Sequence, residues 1–253
     1  MSIAEKLLVY PDLPPAVRQC LFANRAAFLL GNTAPDVQVI SGQVREQTHF
    51  FRVPPRSNAE LPWQHLLHLY PAIQSANIYN RGQAAFWAGY LCHLQADWIW
   101  VTELFLPYFG PESTWGFAGE RFYLHNVVRA YLDRQIASDL PVDVVAQLAS
   151  VSPDGWLPFV PEPALGEWRD FLASQLQPGA AIQTVEVFAA RAGLPVAEFY
   201  ALLDDELEMD RKVFNRLPRS SLREYQDRLL HENCNLLVSY LGSLGGWDHE
   251  SHR

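Results

Sequence analysis

The fold is decided by the stretch Gln83-Ala-Ala-Phe-Trp-Ala-Gly-Tyr-Leu-Cys-His-Leu-Gln-Ala-Asp-Trp-Ile-Trp-Val-Thr-Glu-Leu-Phe-Leu-Pro107. It is almost entirely apolar, and a run of this length predicts one long helix buried in the core of the protein. The polar residues His93, Gln95, Asp97 and Glu103 lie in its middle and make insertion into a membrane costly. The sequence therefore predicts a core helix of a soluble protein.

Two polar residues of this stretch, His93 and Asp97, are four positions apart. A helix places them one above the other on a single face, which they share with aromatic residues and a glycine. A carboxylate among aromatic side chains is costly to bury unless a positive charge pairs with it, and the stretch contains no Lys or Arg. A metal ion would supply that charge, whereas the alternative is a hydrogen-bonded core histidine without a metal.

Length and composition indicate a folded globular protein. The chain has 253 residues, of which 49% are hydrophobic and 13% aromatic, and this is enough for a sizeable core. The formal net charge of -9 argues against DNA or RNA as a standing partner, because nonspecific nucleic-acid binding depends on a basic surface.

The cysteines and the first residues predict a cytoplasmic location. Cys20, Cys92 and Cys234 are widely spaced and have apolar neighbours, which is typical of buried free thiols and favours a reducing compartment. Residues 1–11 do not combine a basic start, an apolar core and a small-residue cleavage site, so they do not resemble a signal peptide.

The rest of the chain predicts an all-α protein, because helical spacing recurs and no stretch alternates like a strand. Further helices are predicted over residues 15–31, 119–136, 141–150, 163–177 and 220–242, the last with a capping box from Ser220 or Ser221 to Glu224. Residues 182–203 resemble a helix-turn-helix, but their second helix is acidic and contains no Arg or Lys, which favours a plain αα-hairpin. We expect one domain, with a metal-site half at 1–136 and a helical extension packed on it at 137–253.

Two further candidate ligands precede the central helix. Asp36 follows Pro35 in the loop after the first predicted helix, where it is either a ligand or an ordinary cap or turn residue. His49 is expected in a loop that mixes charged and aromatic residues, including Arg45, and this mixture indicates the wall of a site. With His93 and Asp97 they supply two imidazoles and two carboxylates, a set suited to zinc and also to manganese or iron.

The order of these motifs resembles the bacterial zinc-dependent phospholipase C family. The motifs are Leu-Leu-Gly-x-x-x-Pro-Asp at 29–36, Thr-His-Phe at 48–50 and Gly-Tyr-Leu-x-His-x-x-x-Asp at 89–97. The resemblance covers roughly the first 110 residues. It implies a multi-helical bundle shared with P1-type nucleases, and a phosphodiester hydrolase in which metal ions polarise the phosphate and activate a water.

The resemblance also implies which residues bind metal. Asp36, His49, His93 and Asp97 fall on one metal of the family's cluster, and Asp97 takes the position that can bridge to a second. The chain departs from the pattern because no His precedes His49. We therefore expect one tightly held metal, with a weaker second one supported at most by Asp97, His125 and Glu103.

Two functions remain open at this level. The first is a metal-dependent hydrolase acting on a small phosphate ester or a lipid headgroup, with Asp97 in the catalytic site and Arg45 contacting the phosphate. The second is a non-catalytic helical protein that binds a metal or a partner and retains a degenerate form of the site.

Overall fold

A computed structural model describes residues 2–74, 80–137, 143–177, 185, 186, 189 and 195–244. These residues contain helices and no strand, which confirms the all-α prediction. The α-helices are α1 (Ser2–Leu8), α2 (Pro15–Ala23), α3 (Arg25–Gly31), α4 (Gln38–Ser41), α5 (Glu46–His49), α6 (Pro62–Leu69), α7 (Arg81–Ile99), α8 (Ala118–Ala137), α9 (Val144–Ala149), α10 (Ala164–Gln175), α11 (Val196–Asp204), α12 (Glu206–Met209) and α13 (Arg219–Ser243). Two 3₁₀ turns (Ala34–Val37 and Pro71–Gln74) and two π-helical segments (Trp100–Phe109 and Asp210–Phe214) complete the described elements.

Helix α7 runs through the centre of the protein, as its sequence predicted. Every residue from 84 to 92 is buried, so the helix is covered on all sides rather than on one face. The side chain of Asn80 caps its start by accepting a hydrogen bond of 2.9 Å from the backbone N–H of Gln83. At Trp100 the backbone widens into the π-helical segment, which continues α7 to Phe109.

Two glycines allow α3 and α7 to cross at close range. A Cβ atom at Gly89 would lie 2.8 Å from the backbone nitrogen of Asn32 and closer still to the carbonyl oxygen of Phe28. A Cβ atom at Gly31 would lie 2.7 Å from the carbonyl carbon of Phe86. Because glycine has no side chain, the two backbones touch, and the loop after α3 is carried onto the face of α7 below Gly89.

Helices α13 and α6 cover other faces of α7. The side chain of Asn233 on α13 donates a hydrogen bond of 3.4 Å to the carbonyl of Cys92. Gln95 is 6% exposed and connects both helices, because it accepts from Trp63 Nε1 at 2.6 Å and donates to Glu232 at 2.6 Å. These two bonds give the buried side-chain amide of Gln95 a donor and an acceptor.

The apolar side chains form two clusters. The first surrounds α7 and includes residues of α1, α3, α9, α10 and the end of α13. The second lies around the π-helical segment and includes residues of α8, α11, α12 and the start of α13. The predicted division into residues 1–136 and 137–253 stays a prediction, and the first cluster contains residues from both sides of it.

Three predictions of local structure are wrong in detail. The helix predicted over 15–31 is broken at Asn24, whose side chain bonds the carbonyl of Cys20 and competes with the backbone ladder. The capping box at Ser220 is wrong, because α13 begins at Arg219 after Pro218 and has no side-chain cap. His49 lies on the short helix α5 and not in a loop.

Some expectations fall outside the described residues. They concern residues 141–142 and most of the first helix and turn of the 182–203 hairpin. The second helix of the hairpin is described as α11. Among the helices of the described ranges, none combines the length and hydropathy needed to cross a bilayer.

Candidate metal centre

The 3₁₀ turn after α3 presents Asp36. Pro35 begins this turn, and the backbone N–H of Asp36 bonds the carbonyl of Thr33 at 3.0 Å. The Thr33 hydroxyl in turn bonds the carbonyl of Leu30 at 2.9 Å, which ties the turn to the end of α3. The side chain of Asp36 is 45% exposed, so the site is open to solvent on this side.

His93 is oriented by a backbone carbonyl. Its Nδ1 lies 2.9 Å from the oxygen of Asn32, which only accepts, so Nδ1 carries the hydrogen. Burial lowers the pKa of His93, against the opposing charges of Asp36 and Asp97, and the ring is neutral near pH 7. Its Nε2 is buried and has no hydrogen-bond partner among the described residues, so a lone pair faces the site unused.

His49 is oriented in the same way by the hydroxyl of Thr48. That hydroxyl donates to the carbonyl of Arg45 at 3.2 Å, so it accepts from His49 Nδ1 at 3.0 Å. The hydroxyl of Tyr90 on α7 donates to the carbonyl of Thr48 at 2.6 Å and holds α5 against the central helix. His49 is 1% exposed, and its Nε2 points at the carboxylates.

The donor atoms of Asp36, His49 and His93 converge, and a carboxylate oxygen of Asp97 lies beside the donor atom of His49. His49 Nε2 lies 3.6 Å from Asp36 Oδ1 and 3.5 Å from Asp97 Oδ2. The rings of His49 and His93 have centroids 5.3 Å apart, and ligand atoms of Asp36, His49 and His93 all lie within 4.8 Å of one another.

This set fits a zinc ion. Two ligands bound tetrahedrally at zinc distances are about 3.3–3.6 Å apart, which matches the two separations from His49 Nε2. The buried Nε2 of His93 has no hydrogen-bond partner among the described residues, and a cation beside the Asp36 carboxylate would bind it. The hydrogen bonds to Asn32 and Thr48 are also the outer contacts that metal-binding histidines require.

A positive charge not expected from the local sequence reaches Asp97. Arg45 Nη2 forms an ion pair with Asp97 Oδ2, and its guanidinium lies over the ring of Phe51 at 4.7 Å. Removal from water raises the pKa of Asp97, but His93, His49 and Arg45 lower it by more, so the carboxylate stays ionised. The absence of basic residues from 83–107 was therefore no guide to the partners of Asp97.

The structure gives His125 and Glu103 other partners. His125 Nε2 accepts a hydrogen bond of 3.0 Å from Trp100 Nε1, and burial lowers the pKa of the ring to about 3. Glu103 forms an ion pair with Arg228 on α13. Neither residue is in the converging group, so a second metal bound through them stays a prediction.

The residues that orient the two histidines were not predicted. Asn32 acts through its backbone carbonyl, which every residue type possesses, so the sequence holds no signal for it. Thr48 does have a signal, because a hydroxyl directly before a candidate histidine ligand can bond its ring.

Comparison with known families agrees with this geometry. Residues 1–100 match the family model described as zinc dependent phospholipase C, which confirms the resemblance drawn from the motif order. The matched range contains Asp36, His49, His93 and Asp97. No curated protein and no solved structure shows a significant match to the chain. The family match and the converging donors together support zinc as the cofactor.

Proposed function

We propose, starting from the zinc dependent phospholipase C match, that this chain is a zinc-dependent hydrolase of phosphodiesters with a lipid-type substrate. The observation that carries the proposal is the convergence of the unpaired Nε2 of His93 with His49 Nε2 and the carboxylate of Asp36, with Asp97 Oδ2 lying 3.5 Å from His49 Nε2. When bound, zinc would polarise a phosphate oxygen and acidify a water, which is the chemistry that phosphodiester hydrolysis needs.

The side chains of the site are held in position before a substrate binds. His93 and His49 are fixed by hydrogen bonds at Nδ1, so little side-chain freedom is lost when Nε2 binds metal. Asp97 remains ionised and accepts hydrogen bonds from Arg45, and in the same way it can accept one from a water at the site. The exposed side of Asp36 leaves an approach for a phosphate group.

Arg45 is the residue that would bind the phosphate. Its side chain is 32% exposed, and stacking on Phe51 fixes the plane of the guanidinium beside the metal ligands. A guanidinium presents paired N–H groups that match two oxygens of a phosphate. Arg45 would then donate hydrogen bonds both to the phosphate oxygens and to Asp97.

The direct test is turnover of a small soluble phosphodiester, bis(4-nitrophenyl) phosphate, by the zinc-loaded protein. We expect chelation to abolish turnover and readdition of zinc to restore it. Asp97→Asn should lower kcat/KM at least about a hundredfold, because it removes a negative ligand from the site. Zinc bound tightly by a protein that turns over no phosphodiester would contradict the proposal and favour the non-catalytic alternative.

We expect Arg45→Met to lower kcat/KM for the same substrate by about 10- to 100-fold, which corresponds to the loss of one charge-assisted hydrogen bond to phosphate. Arg45→Lys should recover only part of this loss, because lysine keeps the positive charge but lacks the paired N–H groups of the guanidinium. Arg223→Met, at an exposed position of α13, is the control and should leave kinetics unchanged. Wild-type kinetics in Arg45→Met would remove Arg45 from the site.

Two other expectations remain part of the proposal. The cytoplasmic location rests on the three free, buried cysteines. The absence of a nucleic-acid partner rests on the net charge of -9 and on the acidic helix α11.

A further inference from the structure

We propose that four exposed aliphatic side chains beside the metal centre dock the protein on the surface of a phospholipid bilayer. This group, the aliphatic rim, consists of Val39, Ile40, Val44 and Val53, which are 47%, 37%, 61% and 41% exposed. The inference rests on the proposed function, because it supplies the place at which a lipid-type substrate would meet the site.

The rim belongs to the same short segment as the site. Helix α4 follows directly on the 3₁₀ turn of Asp36, so Val39 and Ile40 stand only three and four residues after that carboxylate, about one helical turn. Val44 immediately precedes Arg45, whose guanidinium meets Asp97. A bilayer in contact with these side chains would bring its phosphate groups to the open side of the centre.

An aromatic side chain extends the rim. Trp168 Nε1 on α10 donates a hydrogen bond of 3.4 Å to the Thr33 hydroxyl, three residues before Asp36. Phe171 stacks on Trp168 with centroids 5.5 Å apart and is 37% exposed. Aromatic rings of this kind favour the boundary between lipid headgroups and acyl chains.

The charge around the rim favours a phospholipid surface as the partner. Residues 37–44 contain no charged side chain, although the whole chain carries a net charge of -9. Arg52 and Arg56, on either side of Val53 and its following prolines, are exposed and pair with no acidic residue among those described. Most arginines elsewhere in the described chain bond acidic residues or carbonyls. Unpaired guanidiniums next to exposed aliphatic groups complement headgroup phosphates above acyl chains.

The test measures binding of the zinc-loaded full chain to phosphatidylcholine vesicles by flotation. We expect the triple variant Val39→Ser, Ile40→Ser, Val44→Ser to bind at least about tenfold more weakly, because it lacks three aliphatic side chains that the bilayer would bury. The matched control is Val9→Ser, Leu207→Ser, Val238→Ser, which alters exposed aliphatic residues outside the segment, at 66%, 81% and 38% exposure. It should bind vesicles like the wild type.

A second variant tests the charges. Arg52→Gln with Arg56→Gln should weaken binding to phosphatidylcholine vesicles that also contain an anionic phospholipid, and should reduce the dependence of that binding on salt. Equal vesicle binding by the rim variant and the wild type would overturn the inference. Rim-dependent dimerisation without vesicle binding would also overturn it, because the surface would then join two copies of the chain.

The soluble substrate separates this inference from the proposed function. The rim variant should hydrolyse bis(4-nitrophenyl) phosphate at the wild-type rate and lose activity only on vesicles. Rim-dependent vesicle binding by a protein that hydrolyses nothing would support the docking surface and contradict the hydrolase. Circular dichroism and zinc content check that each variant is folded.

Discussion

Gly89→Ala is expected to destabilise the protein by about 3 kcal/mol or more and to lower Tm by roughly 6–12 °C. The added methyl group would lie 2.8 Å from the backbone nitrogen of Asn32 and closer still to the carbonyl oxygen of Phe28. Both are backbone atoms, so no side chain can move aside and α3 must shift from α7. Thermal unfolding followed by circular dichroism measures the effect.

The controls for this prediction are Gly166→Ala in α10 and Gly242→Ala in α13. A Cβ atom at either position meets no heavy atom within 4 Å, so helix propensity alone predicts unchanged or slightly higher stability. The shift in Gly89→Ala should also weaken zinc binding, because Asn32 and Asp36 follow α3 directly. Wild-type stability in this variant would show that the two helices do not cross as closely as described.

His93→Ala is expected to remove zinc. We expect one tightly held zinc per wild-type chain by elemental analysis, and at least a hundredfold weaker binding, roughly, in the variant. Zinc at a hundred times its dissociation constant stabilises a protein by about 2.7 kcal/mol, and this zinc-dependent increment should vanish. Measuring each protein with zinc and with chelator separates the increment from the packing lost with the ring.

His68→Ala is the control for this prediction, because the His68 side chain is 79% exposed and lies away from the converging donors. It should keep both the zinc content and the increment. Unchanged stability of the wild type on chelation would contradict a zinc site held by His93. Three stoichiometric zinc ions per chain would contradict the expectation of one.

The features of the fold and site that could be predicted are those that depend on the spacing of residues within one segment of the sequence. His93 and Asp97 share a face because they are four apart on a helix, and the long apolar run made that helix certain to be buried. Asp36 and His49 were identified through motif order, and the structure brings both to His93. These inferences needed no knowledge of which distant segments meet.

The features that could not be predicted depend on contacts between segments that are far apart in the sequence. Arg45 pairs with Asp97 across 52 residues, and Trp100 occupies the nitrogen of His125 that a second metal would need. Arg228 reaches Glu103 from 125 residues away. No pattern within a helix encodes these pairings, since each one requires the packing of α7 or of the π-helical segment that continues it against a different element.

The passage of α7 into the π-helical segment has a consequence for how the protein unfolds. Residues 84–88, 90–92 and 94 of this continuous helix belong to the first hydrophobic cluster, and Leu104 and Phe109 belong to the second. If one cluster unfolded locally, the helix against which the other cluster packs would also lose its regular backbone structure. We therefore expect the two clusters to unfold as one cooperative unit, and the candidate metal centre beside their shared helix to lose its geometry in the same step.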